Sequence, residues 1–115
     1  MISTLRRSRI QVRLRRIPQD VLVEFWRWLR AQRCAVCEKL DVLQRSQTQV
    51  AHVGIHGLGR RCSDWDVIPL CWRHHDRHSP DSHHFLGVRF WEVYGVDRET
   101  MIRLYRDRYG ARMPE

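Results

Sequence analysis

Two short pairs, Cys34-x-x-Cys37 and Cys71-x-x-His74, offer three thiols and one imidazole at the spacings that a tetrahedral zinc ion accepts. Joined, the two loops complete four ligands and leave no open coordination position, so the expected role is to staple a small fold rather than to do chemistry. The alternative is a reduced, metal-free set of buried thiols. Without an apolar N-terminal leader, such cysteines read as metal ligands before they read as disulfides. Cys62 has no partner in this arithmetic and is expected as a free thiol or, alternatively, as a substitute zinc ligand. Five of the seven histidines crowd between positions 74 and 84, which core packing does not explain.

The elements that must position these residues follow from hydrophobic spacing. Pro18 suits a first helical turn, and Val21, Leu22, Phe25, Trp28 and Leu29 recur at helical spacing to about residue 32, with Arg27 and Arg30 on another face. Residues 1 to 16 alternate loosely between apolar side chains and Arg and receive no firm structure. After the Cys34–Cys37 knuckle, a polar stretch from 38 to 47 leads to a strand at 48 to 53. A loop containing Gly54, Gly57 and Gly59 follows; the glycines form no phosphate cradle and read as flexible turn residues. Val67, Ile68 and Leu70 suggest a second strand, at a sheet edge if it is to tolerate Pro69. Residues 71 to 79 fit a short helix ending before Pro80. Further helices are expected at 82 to 94, around Phe85, Phe90, Trp91 and Tyr94, and at 98 to 109, with Gly95 as the break and Asp97 as an N-cap. These aromatics are expected in the core, and His56, His83 and His84 at the surface.

At 115 residues the chain is the size of one domain, with room for one modest core. Its net charge of +8 is concentrated at the N-terminus, where residues 1 to 33 carry nine Arg against Asp20 and Glu24. The rest holds twelve Lys or Arg against eleven acids. All but one of the 21 basic residues are Arg, whose planar fork holds phosphate through two hydrogen bonds. A polyanionic partner is expected, a plain solvated basic surface being the alternative. No apolar stretch approaches the roughly 20 residues needed to span a bilayer, so a cytoplasmic protein is expected.

Strand, Gly-rich loop, strand, and a helix opened by the second ligand pair occur in that order. With AHV at 51 to 53, GIHGLGRRCSDWD at 54 to 66 and VIPLCWRHHDRH at 67 to 78, the chain resembles the HNH nuclease family. The likeness is to its phage-associated branch with AHV and PLC-x-x-HH segments, and it extends over residues 34 to about 95. It implies an α+β fold: a small zinc-stapled ββα-metal finger, core about 34 to 80, flanked by an N-terminal helix and one or two C-terminal helices at about 82 to 109. Residues 1 to 17 would be a basic arm and 18 to 115 a single nuclease domain.

By position, the resemblance makes His52 the general base and His75 the helix histidine that binds the catalytic metal. His78, three residues on, is a second ligand candidate. Asp66 falls where the family usually has Asn, to orient the base or to join the metal shell, and Asp64 competes for the same part. Adjacent helical residues point about 100° apart, so His74 can face the knuckle while His75 faces the strand of His52. Ala51 departs from the pattern, since many family members carry an Asp or His metal ligand there.

The expected function is hydrolysis of DNA phosphodiester bonds with structural Zn²⁺ and a catalytic Mg²⁺, Mn²⁺ or other divalent ion. Arg6, Arg7, Arg9, Arg13, Arg15, Arg16, Arg60 and Arg61 would contact the DNA backbone. The rival is a non-catalytic zinc-containing nucleic-acid-binding module or recombination accessory factor, favoured by Ala51. Either reading predicts DNA binding that weakens steeply with salt, measured by titration at increasing ionic strength; salt-insensitive binding, or none, would point to a protein-interaction domain.

Overall fold

The computed structural model describes residues 19–54 and 64–112. The expected basic arm, Arg60 and Arg61, His56 and Cys62 lie outside the described residues. The fold is α+β: a two-stranded antiparallel sheet surrounded by helices.

Helix α1, Gln19–Arg30, buries Leu22, Phe25 and Leu29, the spacing of one helical face. Phe25 is fully buried and stacks on Trp65 at 4.6 Å and against Tyr109 at 5.0 Å between ring centroids. These contacts tie α1 to the C-terminal helix α6, Arg98–Arg112, which buries Ile102, Tyr105 and Tyr109. A short helix not expected from the sequence, α2, Ala35–Leu40, begins inside the first cysteine pair. It ends at Asp41, which adopts a left-handed conformation (φ 53°) and donates to the Glu38 carbonyl, while Val42 N–H reaches the Cys37 carbonyl.

Strand β1, Gln49–His52, pairs with β2, Val67–Leu70, in a register that sets Gln49 opposite Leu70 and His52 opposite Val67. All four residues of β2 are buried. Continuous burial requires cover on both faces, which α1, α2, α6 and the following turn supply. Among the described residues the sheet has two strands, so β2 has an unpaired side on which Pro69 is accommodated.

The helix from Cys71 is shorter than expected: α3 spans only Trp72–His75, and Trp72 N–H donates to Ser46 Oγ. A turn then folds the chain back, with Ser79 N–H on the Asp76 carbonyl and buried Ser79 Oγ on the Arg73 carbonyl at 2.6 Å. The single helix expected at 82 to 94 is two, α4 His83–Leu86 and α5 Arg89–Tyr94, broken at Gly87, whose φ of 60° suits glycine. Ser82 caps α4 by accepting from Phe85 N–H, and Asp97 caps α6 by accepting from Thr100 N–H at 2.9 Å. Among the described residues no helix is long and apolar enough to cross a membrane.

Truncating Phe25 leaves a cavity between α1, Trp65 and α6. Phe25→Ala is expected to cost about 3–5 kcal/mol of stability in a denaturant titration, whereas substitution of exposed Arg30 leaves the midpoint nearly unchanged.

Candidate metal centre

The two ligand pairs come together as the sequence predicts. Cys34 sits between α1 and α2 with its N–H donated to Gln44 Oε1 at 2.7 Å; Cys37 lies in the first turn of α2, Cys71 closes β2, and His74 lies on α3. All four are buried. His74 Nδ1 lies 3.5, 3.8 and 3.3 Å from the Sγ atoms of Cys34, Cys37 and Cys71, and the last two sulfurs are 3.8 Å apart. A tetrahedron with metal–sulfur bonds of about 2.3 Å and a metal–nitrogen bond of about 2.0 Å has edges of about 3.8 Å between sulfurs and about 3.5 Å between sulfur and nitrogen. The donor set therefore fits a zinc-sized ion.

The protonation chemistry fits as well. Burial pushes the Cys34 thiol up and the Cys37 thiol up to about 12, because a lone thiolate is costly to desolvate. A cation between them reverses that preference and takes the thiolate form. His74 is held below its ordinary value, first by burial and then by the charge of Arg73, which keeps the imidazole in the neutral form that ligates. The Tyr94 ring stands edge-on to it at 5.0 Å.

His75, one residue on, turns away from this cluster. Its Nδ1–H donates to Gln49 Oε1 at the start of β1. The reversal at Ser79 and Ser82 brings α4 against α3, and one nitrogen each from His75, His83 and His84 lies within 4.8 Å of the others. The His75 and His83 rings are parallel, 5.5 Å apart at 2°, and His83 and His84 are 4.1 Å apart. Burial, then the neighbouring charges of His84 and His75, push His83 down to about 3. His75 is also lowered, mainly by burial and then by His84. The imidazoles that meet His75 thus come from α4. His78 is not in this group: its side chain is exposed and its backbone N–H donates to the Asp76 carboxylate. His84 is exposed, as expected of a surface residue, but His83 is half-buried.

His52 ends β1 on the solvent side. Its Nε2–H faces Asp64 Oδ1 at 3.3 Å, and its ring meets Trp26 edge-on at 5.6 Å. Trp26 Nε1–H in turn donates to the Asp64 carbonyl at 3.1 Å. The carboxylate beside His52 is therefore that of Asp64. Asp66 instead forms an ion pair with Arg106 of α6, and its carbonyl receives Val53 N–H. His52 and His75 are not in ring contact; His52 acts on His75 as a charge that lowers its pKa, the smallest of the four influences on that group. Three strand steps of about 3.3 Å put roughly 10 Å of β1 between Gln49 and His52. Ala51 is fully buried.

Sequence reading places His83 and His84 at the surface and ranks Asp64 behind Asp66 as the partner of His52. The turn signal at Ser79-Pro80-Asp81-Ser82 and the capping Ser82 were the available clues to the first two. No family model matches the chain, and no curated protein and no solved structure matches it significantly.

Bound zinc should appear at the Cys3His cluster, and a strong chelator should lower the melting temperature and the helical signal together. Cys34→Ser and His74→Ala should abolish retention of that ion and unfold much of the chain at ambient temperature, whereas His78→Ala should leave both unchanged, as read by elemental analysis and circular dichroism.

Proposed function

We propose that this chain is a metal-dependent endonuclease of the HNH type, cutting DNA phosphodiester bonds with His52 as base. The observation that carries the reading is the pairing of His52 with a carboxylate at one end of β1 and the gathering of imidazoles on His75 at the other, beside a tetrahedral cluster. The order β1, β2, α3 and the position of His74 and His75 on one short turn agree with a ββα-metal finger.

His52 carries the proton chemistry. With Nε2–H directed at Asp64, its Nδ1 is left with the lone pair and can take a proton from a water attacking phosphorus. Asp64 fixes the ring and stabilises the imidazolium that forms, and Trp26 holds Asp64 through its carbonyl. In this reading the phosphodiester lies between His52 and His75, which are anchored on β1 three residues apart, at His52 itself and at Gln49. A divalent ion bound at His75 would supply charge stabilisation for the scissile phosphate and the leaving oxygen. The P–O bond to the 3′ side then breaks to leave, as in the family, a 5′-phosphate and a 3′-hydroxyl. The Arg-rich N-terminal residues supply affinity through the phosphate backbone without base readout.

A second reading, a zinc-containing nucleic-acid-binding module without cleavage, is favoured by Ala51, whose buried methyl offers no ligand where many family members have one. A plasmid-nicking assay with divalent ions separates the two. His52→Ala and Asp64→Asn are expected to lose about 10²- to 10⁴-fold and about tenfold or more in rate, with DNA affinity kept. Asp66→Asn should act mainly on stability, through Arg106. Full activity in His52→Ala would refute the assignment of the base; DNA binding with no cleavage by the parent chain would favour the second reading.

A further inference from the structure

We propose that His75, His83 and His84 together form a three-imidazole site for a transition-metal dication of the zinc, nickel or cobalt class, and that Mg²⁺ does not occupy it. The ion-binding statement stands without the nuclease reading; its consequence for cleavage rests on that reading.

Three observations converge on the site. The three side chains present one nitrogen each within 4.8 Å of one another. An ion about 2.1 Å from each nitrogen needs them about 3.4 Å apart, so the rings close by at most about 1.4 Å to bind it. Next, the Gln49 carbonyl oxygen takes the Nδ1–H of His75, which fixes the tautomer and leaves Nε2 with its lone pair. A ligating histidine usually has such an outer partner on its other nitrogen. Finally, His83 Nε2 is buried and has no hydrogen-bond partner among the described residues. A buried polar atom of that kind demands an explanation, and ordinary packing supplies none: three imidazoles in mutual contact repel when protonated, and an apolar ring would fill the same space without stranding a nitrogen.

The donor set also selects the ion. The group contains no carboxylate, and imidazole is a borderline donor that suits zinc, nickel, cobalt and copper, whereas Mg²⁺ demands oxygen ligands and keeps its water. Three protein ligands leave positions open to water or to a phosphate oxygen, as in catalytic rather than structural zinc sites. The Cys3His cluster is closed by comparison, so one chain would carry two ions of different character, on adjacent histidines of α3.

The test uses the full chain, stripped of metal and given one equivalent of Zn²⁺ to fill the thiolate cluster, then titrated with Co²⁺ in the presence of millimolar Mg²⁺. The expected result is one further equivalent, with visible absorption typical of nitrogen and oxygen ligands and without the near-ultraviolet sulfur-to-cobalt band. His84→Ala, at an exposed position that leaves the fold intact, should weaken that binding at least tenfold, and Gln49→Ala by roughly 10- to 100-fold; His78→Ala should not change it. Saturation at one ion, displacement of Co²⁺ by Mg²⁺, or undiminished binding in both His84→Ala and His83→Gln would overturn the proposal. Two ions bound with the predicted ligand dependence support it whether or not DNA is cut, so absence of cleavage counts against the nuclease reading alone.

Discussion

The ligand atoms of three thiols and an imidazole converge within 4.8 Å of one another in the interior of a chain of 115 residues. Such a convergence is unfavourable for protonated donors, which would be buried with poor hydrogen bonds, and worse for bare thiolates. It becomes favourable when a dication shares their lone pairs, and the binding free energy of the ion then becomes folding free energy. The four ligands also link the elements: Cys34 and Cys37 fix the turn from α1 into α2, and Cys71 and His74 fix the turn from β2 into α3. A core this small, with a sheet of two short strands, has few other means of holding those turns in register.

The same constraint positions the polar groups. Because His74 must point at the sulfurs, the adjacent His75 is rotated away from them and towards Gln49 and α4. At the other end of β1, His52 is set by groups far away in sequence: Trp26 of α1 holds the Asp64 carbonyl, and Arg106 of α6 draws Asp66 and the Trp65 carbonyl towards itself. The staple thus orders one end of the sheet directly, and the aromatic packing of Phe25, Trp65 and Tyr109 orders the other.

Much of this was legible from residue types and spacing. The ligand pairs, α1, both strands, the Gly95 break and the Asp97 cap all follow from local signals acting over a few residues. What was not legible depends on contacts over long separations. Helix α2 has a weak local signature and exists because Ala35, Val36 and Cys37 are buried around the cluster. Position in the motif puts Asp66 ahead of Asp64; the contacts made by Trp26 and Arg106, 38 and 40 residues away, leave Asp64 as the carboxylate beside His52. His78 looked like a partner for His75 because a continuous helix would place them on one face, but α3 ends at His75. Once the helix stops, the chain reverses, and residues eight and nine positions later take that place.

The central claim is that a single tetrahedral ion organises the chain. X-ray absorption at the zinc edge, on the full chain loaded with one equivalent, tests it most directly. The account predicts three sulfurs at about 2.3 Å and one nitrogen at about 2.0 Å around the ion. A shell of nitrogen and oxygen alone, or a fully folded chain that retains no zinc, would contradict it.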